Sequence, residues 1–338
     1  MTRVVRYLVL LVLLAAVAVP GWAGDTFHLT ILHTNDMHGM MAPHEYQAEG
    51  TPFADKEREL GGMARLATAI RQFRADSDHC VVVDCGDIFT RGPWHEKWFG
   101  EPEIEAMNLM GYDMLVVGNN ELKPIWGDPV SEEMMLSLMR RSRFPWLSAN
   151  LTLGDGPPPG CDALAFVEGM HPFIVRTFGP VRVGFLGLTC GLPPDYSWLK
   201  GWTIGDPIPA AQRWAPFARR YCDILIAVMH IGSGTASALA AEVDGIDAMV
   251  GGHSHEFLSP PLMLKSPSGR DVPMVIAGEL GVVLGVFDLE FEKQDDGAWQ
   301  LTSAKSRLVP IDSSFSEDAA VNQLLDRYLA PVAAAAVP

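Results

Sequence analysis

The stretch Leu29-Thr30-Ile31-Leu32-His33-Thr34-Asn35-Asp36-Met37-His38-Gly39 decides the fold. A short apolar, β-branched run reads as a buried strand, and its end carries an amide, a carboxylate and an imidazole in close succession. The same grammar recurs down the chain. Residues 80–84 form a second such run ending in Asp84-Cys85-Gly86-Asp87, and 114–117 a third ending in Gly118-Asn119-Asn120-Glu121. After a further run at 181–188, residues 224–229 lead into His230, and 248–250 into Gly251-Gly252-His253-Ser254-His255. Amphipathic stretches at 63–74, 103–110, 132–140 and 210–221 lie between them. Strand and helix in alternation specify an α/β domain with substantial parallel pairing. From residue 272 the pattern changes to strands at 274–277, 283–291 and 299–308, predicted to form an antiparallel extension. The proline-rich segment 154–160 reads as a loop within the domain.

The polar residues all fall at the C-terminal ends of strands, where open α/β sheets place their sites. Any one of them alone reads more readily as a hydrogen-bonded strand cap than as a ligand. Their recurrence on successive strand ends points to coordination instead. A carboxylate that bridges two divalent ions, surrounded by imidazole nitrogens and an amide oxygen, suits Zn, Mn or Fe. Two such ions about 3.5–4 Å apart generate a hydroxide and clamp a phosphoryl group.

The first residues speak to compartment. Arg3 and Arg6 precede an apolar run at 7–19, and Ala23 closes a small-residue cleavage pattern. The run is shorter than the roughly 20 apolar residues of a spanning helix, so a removable secretory signal over 1–23 is expected. A mature domain over 24–314 and a C-terminal helix and tail over 315–338 complete the expected organisation. Export to the periplasm or the medium follows, with no membrane attachment after cleavage. A formal net charge of −16 argues against nucleic acid as a partner. The five cysteines include no Cys-x-x-Cys spacing, which argues against a thiolate zinc site. Cys80 and Cys85 bracket a strand that holds their Cα atoms roughly 16 Å apart, beyond the reach of a disulfide.

Taken together, residues 32–39, Gly61-Gly62-Met63-Ala64-Arg65-Leu66, Asp84-Cys85-Gly86-Asp87, Leu147-Ser148-Ala149-Asn150-Leu151, 251–255 and Ala277-Gly278-Glu279 resemble one family. It is the calcineurin-like metallophosphoesterases, in their 5'-nucleotidase and UDP-sugar hydrolase branch. The resemblance implies a four-layer α/β/β/α sandwich of two mixed β-sheets. It also implies that one metal takes Asp36, His38, Asp87 and His255, and the other Asp87, Asn119, His230 and His253. On that basis the chain reads as an exported, binuclear-metal hydrolase of phosphomonoesters or phosphoanhydrides, with nucleotides as the expected substrate. A catalytically weak metal- and phosphate-binding relative, or a thiosulfohydrolase-like enzyme, is the alternative.

Two departures from the family pattern stand out. The family carries a His–Asp dyad facing the phosphate, and the matching positions here are Asn120 and Lys123. An amide donates a hydrogen bond to a phosphoryl oxygen but releases no proton to a leaving alkoxide. Asn120 is therefore a candidate catalytic residue of altered chemistry, and Lys123 reads as a solvated loop residue. The second departure is that the nucleobase-stacking C-terminal domain of the full-size relatives has no counterpart in these residues. His33 reads either as a residue orienting a ligand or as a packed one, and Asp84 as a hydrogen-bonding strand cap. The cluster at 94–99, rich in aromatics, reads as a core contact.

Overall fold

The computed structural model describes residues 25–55, 58–89, 93–122, 132–153, 170–191 and 202–335. The expected leader lies outside them, as does Lys123. The strands are β1 (Thr26–Thr34), β2 (His44–Glu45), β3 (Glu59–Leu60), β4 (Cys80–Asp84), β5 (Met114–Val116) and β6 (Trp146–Leu147). There follow β7 (Leu151–Leu153), β8 (Met170–His171), β9 (Phe173–Phe178), β10 (Val181–Thr189), β11 (Trp202–Ile204) and β12 (Ile224–His230). The last are β13 (Ala248–Gly251), β14 (Phe257–Lys265), β15 (Asp271–Ala277), β16 (Val283–Lys293) and β17 (Trp299–Pro310). The helices are α1 (Met63–Ala75), α2 (Pro93–Trp98), α3 (Glu101–Met110), α4 (Glu132–Arg141), α5 (Pro207–Ala218), α6 (Gly232–Glu242) and α7 (Ala319–Ala335).

One sheet runs β17-β16-β1-β4-β5-β6-β8 and the other β14-β15-β13-β12-β10-β9. Side chains on a strand alternate between faces, and here both faces of the central strands are apolar because both are covered. On β12, Ile224, Ile226 and Val228 enter the core between the sheets, while Leu225, Ala227 and Met229 pack with Ala211, Ala215 and Leu239 of α5 and α6. On the other sheet, Ile31 of β1 joins the inter-sheet core and Leu32 faces outward, into a cluster with Leu66 of α1, Ile104 of α3 and Leu324 of α7. The result is helix, sheet, sheet, helix: the expected four-layer sandwich.

The predicted antiparallel extension is only partly correct. β16 and β17 are antiparallel and extend the first sheet past β1. β15 instead runs parallel to β13 in the second sheet, with Val250 opposite Val275. Its apolar run reads the same in either setting, so periodicity alone does not choose the partner. The C-terminal helix begins at Ala319 and packs against α3 and α1. Among the described residues no helix is long and apolar enough to cross a membrane.

Candidate metal centre

β1, β4 and β5 are neighbours and parallel in one sheet, β12 and β13 in the other, so five C-terminal ends emerge at one edge of the sandwich. Backbone hydrogen bonds then tie the loops together. Asp36 N donates to Gly86 O at 2.8 Å, His38 N to Asp87 O at 2.9 Å, and Gly232 N to Gly252 O at 3.0 Å. Asp36, His38, Asp87, His253 and His255 all adopt left-handed backbone, with φ of 51°, 49°, 58°, 79° and 57°. Any side chain at Gly118 would meet the Asp87 carboxylate, which is why a glycine stands there.

Two clusters result: Asp36, His38 and His255 in one, Asp87, His230 and His253 in the other. In the first, His255 Nε2 lies 3.2 Å from both Asp36 Oδ1 and His38 Nε2. In the second, His230 Nε2 lies 3.2 Å from Asp87 Oδ2 and 3.3 Å from His253 Nδ1. The Asn119 amide oxygen joins the second cluster, 3.2 Å from His230 Nε2 and 3.0 Å from His253 Nδ1. His230 Nε2 and Asp36 Oδ1, 4.0 Å apart, connect the two. All seven residues expected to ligate metal, Asp36, His38, Asp87, Asn119, His230, His253 and His255, thus come together at one edge.

The donor chemistry fits divalent ions. Asp36 Oδ1 is buried and accepts no hydrogen bond. His230 Nδ1 donates to Cys85 O at 2.7 Å, so in the neutral ring Nε2 is a bare acceptor among other acceptors. Acceptors crowded this closely match ligands held at about 2.0–2.2 Å from a common cation. The electrostatics agree. Burial opposes a charge on His230, yet Asp87 and Asp36 outweigh it and raise its pKa to about 9. Burial likewise opposes charge on Asp87, and His230 outweighs that burial and holds its carboxyl below the usual range. This edge demands positive charge.

Several supporting residues carry no role in the sequence reading. Glu279 accepts from His255 Nδ1 at 2.8 Å, which leaves His255 Nε2 facing Asp36. Asn35 donates to Asp36 Oδ2 at 2.8 Å and accepts from Ala277 N at 2.9 Å, linking β1 to β15. Glu121 is wholly buried and accepts from the amides of Asp87, Ile88 and Gly118 at 2.8, 2.8 and 2.6 Å. It joins the loop after β4 to the loop after β5. For Glu279 the signal was its place in the Ala277-Gly278-Glu279 motif. For Glu121 the signal was its place in the Gly118-Asn119-Asn120-Glu121 strand end, though its acceptor role depends on two loops meeting.

The remaining candidates separate cleanly. Asp84 accepts from Thr34 Oγ1 at 2.6 Å and Gly86 N at 2.8 Å, as a strand cap does. His33 is packed: neither ring nitrogen has a hydrogen-bond partner, and burial lowers its pKa to about 3. Asn120 donates from its backbone to Asp87 Oδ1 at 2.7 Å and from its side-chain amide to Asp87 Oδ2. In the aromatic cluster, His95 stacks on Phe89 and Trp98 meets Tyr328 edge-on, so both are core contacts.

A sandwich with a polar edge of this composition defines a four-layer α/β protein with two clusters of candidate metal ligands. The sequence model of the family described as calcineurin-like phosphoesterase matches residues 29–257, and the chain belongs to that family. A snake venom 5'-nucleotidase of Gloydius brevicauda is 30% identical over 314 residues, covering 88% of this chain and 50% of the venom protein. The chain thus spans about half the length of the curated relatives it matches. The crystal structure of a 5'-nucleotidase precursor from Thermus thermophilus superposes with a TM-score of 0.76 at 26% identity, over 91% of this chain and 59% of that one. The calcineurin-like phosphoesterase YfkN from Bacillus subtilis shares the fold at a TM-score of 0.70 and 23% identity, covering 91% of this chain and 98% of that chain.

Proposed function

We propose that the protein is an exported phosphoesterase that uses two divalent ions, Zn, Mn or Fe, to hydrolyse phosphomonoesters or phosphoanhydrides, nucleotides among them. One observation carries the reading: two acceptor-rich clusters approach to 4.0 Å and leave Asp36 Oδ1 buried without a hydrogen bond. Family membership and relatives named 5'-nucleotidase support the phosphoryl chemistry. When bound, the ions supply a hydroxide nucleophile and positive charge for the phosphoryl oxygens.

The chain's own part is positioning. His230 is held by Cys85 O and His255 by Glu279, so each presents Nε2 to a carboxylate. Asn119 contributes an amide oxygen beside His230 and His253. Asn120 holds Asp87 through two hydrogen bonds, and its amide has no proton to give a departing alkoxide. That engagement of Asn120 favours, as a second reading, a weak catalyst that mainly binds metal and phosphate. The positive n-region and the Ala23 pattern support export, and the mature chain is then expected to begin at Gly24.

The deciding experiment pairs elemental analysis with a phosphatase assay in added Mn or Zn. Close to two ions per chain are expected, with Asp87→Ala losing more metal than His38→Ala. One ion or none under metal-replete conditions would defeat the binuclear reading. Two ions without turnover would select the binding relative.

A further inference from the structure

Two cavities meet at Leu109 on the helical layer that covers the first sheet. The larger, of about 540 Å³, lies among α1, α3 and α7, and the smaller, of about 260 Å³, among α3, α7 and the end of α4. α1, α3 and α4 each run back from the site edge to the start of the next parallel strand, β4, β5 and β6. Their C-terminal ends, which line these cavities, therefore lie at the edge opposite the metal ligands.

The two cavities differ in polarity. Ile70, Met110 and Val321 give the larger an aliphatic floor, and its arginines are spent. Arg71 pairs with Asp318, and Arg74 with Asp113 at 2.9 Å and Gly111 O at 2.7 Å. In the smaller cavity Arg141 is likewise held, by Glu101 at 2.8 Å and Glu105 at 3.3 Å. Arg143 and Arg327 are not. Both are exposed on that cavity, and among the described residues neither guanidinium has a hydrogen-bond, ion-pair or ring partner. Two uncompensated cations on one small cavity repel each other unless an anion joins them, here in a chain whose formal net charge is −16. The carbonyl ends of α3 and α4, which would oppose an anion, are already occupied: Arg74 donates to Gly111 O, and Asn108 Nδ2 to Arg141 O at 2.8 Å.

An oxyanion answers the smaller cavity, because guanidinium planes offer paired N–H donors to carboxylate and phosphate oxygens. An uncharged aliphatic chain answers the larger. Leu109, 50% exposed where the two meet, gives that chain an apolar path from one to the other. We infer that the two cavities form one groove for an anionic amphiphile, its head on Arg143 and Arg327 and its chain running past Leu109 over Ile70 and Val321. This site is separate from the metal clusters and does not depend on the phosphoesterase reading.

The test is calorimetric titration of the metal-loaded protein with laurate, with butyrate as the head alone and with dodecyl maltoside as a chain with a neutral head. Laurate should bind once per chain, about tenfold or more tighter than either control. The double variant Arg143→Gln, Arg327→Gln should weaken laurate about tenfold or more, as for loss of hydrogen bonds to a charged group. Leu109→Asp should weaken laurate about tenfold and leave butyrate unchanged, as for loss of one buried apolar contact. All three positions are exposed, so these variants keep the fold. Flotation with phosphatidylglycerol vesicles identifies the source. Capture that the arginine variant abolishes makes it a bilayer, and laurate binding without capture makes it a free amphiphile; both support the groove. Laurate no tighter than butyrate, or equal binding in the variants, overturns it. So does an acidic amphipathic peptide that outcompetes laurate through the same two arginines, or a dimer that Leu109→Asp dissolves.

Discussion

Glu103 is a carboxyl placed where it has nothing to do. It lies in the first turn of α3, is wholly buried, and neither oxygen has a hydrogen-bond partner. Burial, with a smaller contribution from the nearby charge of Glu121, raises its pKa from 4.5 to about 7. Its own backbone amide, near the carboxyl but outside hydrogen-bonding geometry, pulls the other way and loses. Between about pH 4.5 and 7 the unfolded chain gives up this proton while the folded chain keeps it. Stability from this group is therefore intact below pH 4.5, falls as pH rises through that window, and is flat above it. Each tenfold change in proton affinity is worth about 1.4 kcal/mol, so the loss is about 3 kcal/mol.

Glu103→Gln replaces the carboxyl with a neutral group of the same shape. At pH 4.5 the variant should match wild type, and at pH 8 it should be more stable by about 3 kcal/mol. For a chain of this size that is a rise in Tm on the order of 5 °C. Urea unfolding of both proteins across pH 4–8, in chelator, measures the difference directly, and titrations common to both cancel. Equal stability at pH 8 would mean that Glu103 has a partner after all. A gain that did not change with pH would trace to packing and refute the protonation argument.

His33 should produce the opposite slope. Its folded pKa of about 3 lies below the unfolded value of 6.5, so stability is lost as pH falls through that window, by about 4–5 kcal/mol in all. His33→Leu should flatten acid unfolding between pH 6.5 and 3, and an unchanged acid midpoint would show that other groups control it. Glu121→Gln keeps one acceptor oxygen where the carboxylate serves three amides, so metal affinity should fall about 10–100-fold while the fold survives. Isothermal titration with Zn or Mn checks this, and wild-type affinity in the variant would make Glu121 dispensable. With Asn120 in place of a proton donor, kcat/KM across substituted aryl phosphates should climb steeply as the leaving phenol becomes more acidic. A flat dependence would show that another group supplies the proton.

What was legible in the sequence follows from what each residue depends on. Asp87 and His230 could be read because each ends a run of buried residues, and parallel neighbours bring such ends together whatever the details of packing. α6 was missed. Its Gly-Ser-Gly-Thr-Ala-Ser start offers no apolar stripe, and the helix forms because Ala236, Leu239 and Ala240 are buried against the second sheet. β14 was missed because Pro260 and Pro261 sit within it, and prolines survive in a sheet mainly at its edge, where β14 lies. Glu103 opens an ordinary amphipathic stretch, and Glu121 closes a strand-end motif that does not show what it binds. Only the packing of distant segments makes one an orphan and the other a bracket between loops.

The backbone of the site shows why that bracket matters. A non-glycine residue in the left-handed region costs about 1–3 kcal/mol, less for Asp than for the others. Asp36, His38, Asp87, His253 and His255 all occupy it, so the strain at this edge is on the order of a domain's net stability. Such conformations persist only where surroundings leave no alternative. Here the restraints cross between strand ends: Glu121 binds both the Asp87 and Gly118 amides, and Asp36 Oδ2 receives both Asn35 Nδ2 and His253 N. No loop can relax without breaking a bond to another loop, and the strands beneath are anchored on both faces. The frame thus holds the acceptors close together. Their mutual repulsion, seen in the raised His230 pKa and the unpartnered Asp36 Oδ1, remains as a fixed demand for positive charge.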